Sequence, residues 1–339
     1  MDRKIIDIED NVIIDTLPFQ GCVDCIMQYA KNEYAKIECA YDKLHKRIAY
    51  HSGKNGKLFL CSCDAKTTKL FKDEFHALIP CIKSLADIAN RVSIESRQRT
   101  DRVVHNLKSI NGHAIQELEN LVPQKDIGKN QNIDYVTNVI QENPKEAALT
   151  FFRMAKFNRS MKAELTVYEK LLHVDNILLQ KQNHKVPEII MSVLYPFFVD
   201  FHEKEVYVRV DNIDTRVLLD FETFYVALYH LVENATKYVK PKTQIHITFN
   251  VGNGEFLIKM NMQSLYIEPS EENNIFNEGY SGIWAKKTQR QGKGIGMYRA
   301  RKLIELNNGT LSINAGKDIS KVEGVEYATN TFIISIPLD

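Results

Sequence analysis

The chain has little that would tie it to a membrane or to a polyanion. Its longest largely apolar run is IIMSVLYPFFV, far short of the roughly 20 residues that span a bilayer. The N-terminus, MDRKIIDIED, lacks a signal-peptide pattern, so a cytoplasmic location without a membrane span is expected. Charge of one sign is also missing, because 44 Lys and Arg stand against 43 Asp and Glu. A nucleic-acid partner is therefore not expected, and any anion site has to be local. Six cysteines in 339 residues are too sparse for a disulfide framework, which fits a reducing compartment. The length itself exceeds what one core usually organises and implies two or three domains.

Three regions separate by pattern. Residues 1–92 mix short apolar runs with turn sequences such as HSGKNGK and read as a mixed α/β module. Cys22-x-x-Cys25 and Cys61-x-Cys63 offer four thiolates to zinc or a redox pair, or else small apolar groups for a core.

Residues 93–185 read as a helical hairpin. One glycine and no proline occur between 93 and 121, and apolar side chains at 103, 107, 110, 114, 118 and 121 make one narrow stripe. A second helix is predicted from Pro144 to about Gln182, with Asn143 as N-cap and Glu146 closing a capping box. Two such stripes do not bury each other fully, so a four-helix bundle made by a homodimer is expected.

Residues 186–339 alternate strands and helices and read as an α/β sandwich, a mixed sheet with helices on one face. VYVRV, QIHITFNV, GEFLIKMNM, LSINA and TFIISIPL are predicted strands, the second and third forming a hairpin through Gly252, Asn253 and Gly254. The whole is a multidomain α+β protein.

Within this last region, RQGKGIGMYRARKLIELNNG places Gly292, Gly294 and Gly296 just ahead of a helix, where bare backbone and unpaired amides suit a phosphate. A dinucleotide-binding fold would put such glycines after the first strand of a βαβ unit, whereas here they follow the polar loop NEGYSGIWAKKTQRQ near the chain's end. About sixty residues upstream, HLVENATKY puts Asn234 on a helix with Lys237 and Tyr238 one turn on; an amide oxygen is a hard, neutral ligand suited to Mg2+ carrying phosphates.

These stretches resemble the Bergerat-fold (GHKL) ATPases, namely gyrase, heat-shock protein 90, MutL and the sensor histidine kinases. HLVENATKY resembles their N box, NIFNEGYSG the segment that opens the ATP lid, and GKGIGMY with LNNGTLSI their second glycine box. The resemblance implies ATP and Mg2+ as ligands, with Asn234 on the metal. The first glycine box, whose aspartate accepts from the adenine amine, is replaced by NMQSLYIEPSEEN. Asn261 or Ser264 would stand in as a neutral acceptor, weaker by roughly 1 to 2 kcal/mol.

Position 230 is His rather than the glutamate of the hydrolysing members, and the preceding hairpin resembles the dimerisation and phosphotransfer region of sensor histidine kinases. That branch implies autophosphorylation on a histidine and a response-regulator partner. In RVVHNLKSINGHAIQEL, His105 lies off the apolar stripe and faces solvent; His113 is the competing acceptor. Asn106 replaces the acid of the usual phosphoacceptor box, and Ser109 its Thr or Asn; a neutral Asn106 cannot take a proton, so slow labelling is expected. The alternative is a non-catalytic nucleotide-binding or phosphotransfer scaffold, and an ATP-gated switch of heat-shock type is a third.

Overall fold

The computed structural model describes residues 1–30, 33–63, 67–123, 125, 133–172 and 179–338. The chain divides into two compact units, Met1–Asp101 and Arg102–Asp339. None of the described helices is long and apolar enough to cross a membrane.

The first unit is built on an antiparallel sheet in the order β2-β1-β5-β4-β3, from β1 (Asp2–Ile6), β2 (Val12–Asp15), β3 (Tyr34–Glu38), β4 (His45–Gly53) and β5 (Gly56–Ser62). GKLFLCS is buried almost end to end because both faces of β5 are covered. Helix α1 (Cys22–Tyr29) puts Ile26 against Ile48, Phe59 and Cys61. On the other face, α2 (Thr68–Leu78) and the start of α3 (Cys81–Leu121) pack Phe71, Phe75 and Ile82 on Ile5, Leu58 and Leu60. All six cysteines are thiols. The two pairs differ in exposure: Cys22 and Cys61 are buried, Cys25 is half-buried and Cys63 is exposed. Burial pushes the Cys61 thiol up to about 12. Among the described residues no set of three His, Cys, Asp or Glu side chains is arranged to hold a metal.

The predicted start of the hairpin at residue 93 falls inside α3, which begins at Cys81. Of the stripe, Val103 and Ala114 are buried while Leu118 stays 48% exposed. The stretch QKDIGKNQN lies, apart from Lys125, outside the described residues. Helix α4 (Ile133–Glu142), not foreseen, then leads into α5 (Pro144–Val167). Pro144 starts α5 as predicted, but the capping box does not form: the Asn143 amide donates to the Val139 carbonyl instead, and Glu146 accepts from Arg153. Nor does the helix reach Gln182. It ends in a π-turn, Tyr168–Leu172, residues 173–178 lie outside the described ones, and β6 (Lys181–Lys185) is already a strand.

The sandwich follows from the alternation read in the sequence. Its sheet runs β11-β12-β10-β9-β7, with β7 (Tyr207–Val210) parallel to β9 (Gln244–Gly252) and antiparallel pairs among β9, β10 (Glu255–Leu265), β12 (Val325–Pro337) and β11 (Thr310–Val322). Asn253 and Gly254, both at positive φ (54° and 75°), turn β9 into β10. A two-stranded ribbon of β6 and β8 (Arg216–Asp220) stands apart from that sheet. On its face lie α6 (Val186–Leu194), α8 (Phe221–Tyr238) and α10 (Gly296–Leu306); α7 (Phe198–Glu203) and α9 (Ile283–Lys287) are short connectors. Every residue from Thr223 to Val232 is buried, because α8 is covered on all sides. The core also takes Ala163 and Val167 of α5, so the hairpin's second helix is packed into the sandwich of the second unit.

A buried polar network fixes α8 to α10. Asp220 caps α8 by accepting from the Thr223 N–H (2.9 Å) and hydroxyl (2.8 Å). Asn307, at the end of α10, accepts from the Asp220 N–H (2.7 Å) and donates to Thr223 Oγ1 (2.9 Å). Burial acts to raise the Asp220 carboxyl, but these donors outweigh it and hold the group below its ordinary value.

Candidate nucleotide site

A cavity of about 340 Å³ opens between α3, α5, α8, the end of β10 and the segment 280–297. His105, Asn106, Ser109, Asn234, Lys237, Tyr238, Ser264, Gly292, Gly294 and Gly296 all line it. Asn261 does not. Residues 256, 258, 260, 262 and 264 of β10 point inward and are buried, so Asn261 takes the opposite face and donates to Thr331 Oγ1 (2.9 Å). The alternation FLIKMNMQS already carried that parity, and of the two residues only Ser264 lines the cavity. Its Oγ accepts from Asn330 Nδ2 at 2.8 Å, which leaves the hydroxyl proton and one lone pair uncommitted.

The glycines are not equivalent. Gly294 has φ +69°, and a Cβ there would stand 2.5 Å from backbone atoms of Gly279 and Tyr280. That close approach is closed by the Gly279 N–H donating to the Gly294 carbonyl (3.0 Å). At Gly296 a Cβ would come within 3.2 Å of the Asn234 amide, whereas at Gly292 it would meet nothing. Helix α10 begins at Gly296 without a side-chain cap, so its first amides remain available to a ligand.

Trp284 also lines the cavity, with the Lys287 ammonium 4.4 Å from its ring centroid. The buried Glu271, unremarked in the sequence, holds this segment: it accepts from the Tyr280 hydroxyl (2.8 Å) and the Ile283 N–H (2.8 Å). Burial and that carboxylate push the Tyr280 hydroxyl up to about 12.

On the opposite wall, His105 is exposed at the mouth while Asn106 is buried. His113 is exposed too, but it leans on Phe157 (6.4 Å between ring centroids) and does not line the cavity. Asn106 accepts from Lys293 Nζ (2.7 Å) and donates to Glu164 Oε2 (3.3 Å). Glu164, on α5, takes both nitrogens of the buried Arg299 (2.6 and 3.3 Å). Burial would raise the Glu164 carboxyl; Arg299 more than offsets this and holds it below the usual carboxylate range. Sequence reading missed Glu164, since one acid within a helix pattern says nothing about its burial.

Along α8, Glu233 receives Lys237 Nζ at 3.0 Å and lies 3.8 Å from His230 Nδ1. Burial opposes ionisation of Glu233, yet the neighbouring imidazole and ammonium keep its carboxyl well below the ordinary value. His230 is 5% exposed, lines the cavity, and has no hydrogen-bond partner on either ring nitrogen.

Residues 220–339 match the family described as histidine kinase-, DNA gyrase B-, and HSP90-like ATPase. The sensor protein SrrB of Staphylococcus aureus is 25% identical over 118 residues, 35% of this chain and 19% of SrrB, so the match spans about a fifth of that relative's length. Among solved structures, a mycobacterial sensor histidine kinase, MprB, is 16% identical with a TM-score of 0.38, over 47% of this chain and 97% of that one. The Acinetobacter baumannii histidine kinase AdeS is 15% identical with a TM-score of 0.40, over 70% of this chain and 97% of its own.

Proposed function

We propose, from the match of residues 220–339 to histidine kinase-like ATPases, that the chain is an ATP-dependent protein histidine kinase that phosphorylates His105 and passes the phosphoryl group to a response-regulator aspartate. The observation that carries this reading is that His105 and the Asn234 and glycine elements line one cavity, whereas His113 lies outside it.

In this reading the first amides of α10 and the backbone around Gly294 receive the phosphates, and Lys237 and Lys293 add positive charge. Mg2+, held by the Asn234 oxygen, would spread the charge that develops on the transferring group. Ser264 is the adenine contact, and as a neutral group it leaves most of the affinity to the phosphates. An unprotonated His105 nitrogen attacks the γ-phosphorus as the bond to ADP breaks. Asn106, engaged by Lys293 and Glu164, takes no proton, so the reaction is slow.

The homodimer belongs to the same reading, and exposed apolar side chains on the hairpin support it: Val104, Ile115 and Leu118 on α3, and Phe151 on α5. The test is labelling with ATP carrying radioactive γ-phosphate. An acid-labile, base-stable label is expected, lost in His105→Gln and kept in His113→Gln. The scaffold reading instead requires that nucleotide shift the fluorescence of Trp284, the single tryptophan, while no label forms; a label surviving in His105→Gln rules out His105 as the acceptor.

A further inference from the structure

The cavity has two chemically different ends. Around Asn234, Gly294 and the start of α10 it offers bare amides and the ammonium groups of Lys237 and Lys293, which suit phosphate. The other end is set by the close of β10. Val239, just past α8, forms a bridge with Ser264, so Ser264 stands level with a point five residues beyond Asn234, about 7.5 Å along the helix axis at 1.5 Å per residue. Met262, Leu265 and Ile267, from the same stretch, line the cavity and give this end the apolar walls that a flat purine fills.

Purines are told apart at position 6, where adenine carries an amine that donates and guanine or hypoxanthine an oxo group that accepts. Selecting the amine takes an acceptor that cannot donate, such as an ionised carboxylate. The acids on the cavity wall are Glu164 and Glu233; Arg299 occupies the first at 2.6 Å and Lys237 the second at 3.0 Å. The polar side chains that the end of β10 and its continuation bring to the cavity, Ser264 and Tyr266, carry hydroxyls. Asn330 is locked beside Ser264 in one sense. Its amide nitrogen donates to Ser264 Oγ (2.8 Å) and to the Leu265 carbonyl (3.0 Å), while its oxygen accepts from the Gly316 N–H (3.1 Å). The Ser264 hydroxyl therefore keeps a free proton and a free lone pair, and a turn about one bond presents either to a base.

We propose that this is a purine-nucleotide site without selection for adenine, in which Ser264 meets a 6-amino or a 6-oxo group alike, so that inosine and guanosine nucleotides bind beside adenosine ones. The inference rests on the nucleotide reading above and widens it: the phosphoryl donor is a class, the purine nucleoside triphosphates, recognised by phosphates and by the apolar faces of the base.

The test is calorimetry of the full chain with Mg2+ and either ADP or inosine diphosphate, which differ only at position 6 and the adjacent ring nitrogen. Dissociation constants within about threefold of each other are expected. Ser264→Ala should weaken both by a similar factor of roughly 2 to 10, the worth of one hydrogen bond. Ser264→Asp supplies an acceptor that cannot donate and should favour ADP by about tenfold or more; circular dichroism checks its fold, and the alanine variant decides if it does not fold. A native preference for either base beyond the expected range, an alanine variant that binds both as the native chain does, or a folded Ser264→Asp protein that binds both alike would each overturn the assignment. Absence of binding by both nucleotides overturns the nucleotide reading itself, and this inference with it.

Discussion

Lys293, set between Gly292 and Gly294, donates to the Asn106 amide oxygen at 2.7 Å, so the glycine loop grips the residue that follows the proposed phosphoacceptor. Any phosphate arriving at the loop competes with Asn106 for that ammonium. Asn106→Asp supplies a proton acceptor beside His105 and should speed labelling roughly 10² to 10⁴-fold, the gain that general-base help typically gives. It also sets a second carboxylate against Glu164, now 3.3 Å from the Asn106 amide nitrogen, so thermal stability should fall. Initial labelling rates and melting curves of the same preparation check both directions.

The buried Glu164–Arg299 pair (2.6 Å) should behave as a unit. Arg299→Ala leaves a carboxylate buried without its cation and should cost about 3 to 5 kcal/mol, while the double change with Glu164→Leu recovers most of the loss. Urea denaturation of the single and double variants measures this. Because the folded-state pKa of Glu164 lies below its ordinary 4.5, its contribution is full at neutral pH and fades as pH falls below about that value. A Glu164→Gln protein should therefore lose less stability on acidification than the native chain.

Substitutions at the glycines should separate sharply. Gly294→Ala meets both a left-handed backbone and atoms at 2.5 Å, and the backbone term alone is worth about 1 to 2 kcal/mol. ADP binding should fall at least tenfold. Gly292→Ala, with open space around it, should bind as the native protein does. Calorimetry with ADP decides; equal losses at both positions would mean that the loop is not held as described.

Much of this site was legible because its chemistry is local. The bare backbone before α10, the amide one turn ahead of Lys237 and Tyr238, and the Asn253-Gly254 turn are written in neighbouring residues, and a neighbour relation survives folding. Asn261 was misread although its strand's alternation placed it outside. Other features had no local mark. KQNHK, without apolar alternation, becomes the strand β6 only because β8 pairs with it. Glu164 and Glu271 gain their importance from burial beside partners 135 and 9 to 12 residues away, and burial is a property of the assembled core.

The exposed apolar row on the hairpin predicts self-association. Light scattering at micromolar concentration should give twice the chain mass, and Leu118→Glu, placed where the side chain is 48% exposed, should shift it toward the monomer without unfolding it, since burying an unpaired charge in an interface is costly.

The Asp220–Thr223–Asn307 network has a thermodynamic consequence. By clamping the start of α8 to the end of α10 with bonds of 2.7 to 2.9 Å, it sets the spacing between the Asn234 wall and the glycine wall in the absence of any ligand. A nucleotide entering such a preorganised cleft pays little ordering entropy on those walls.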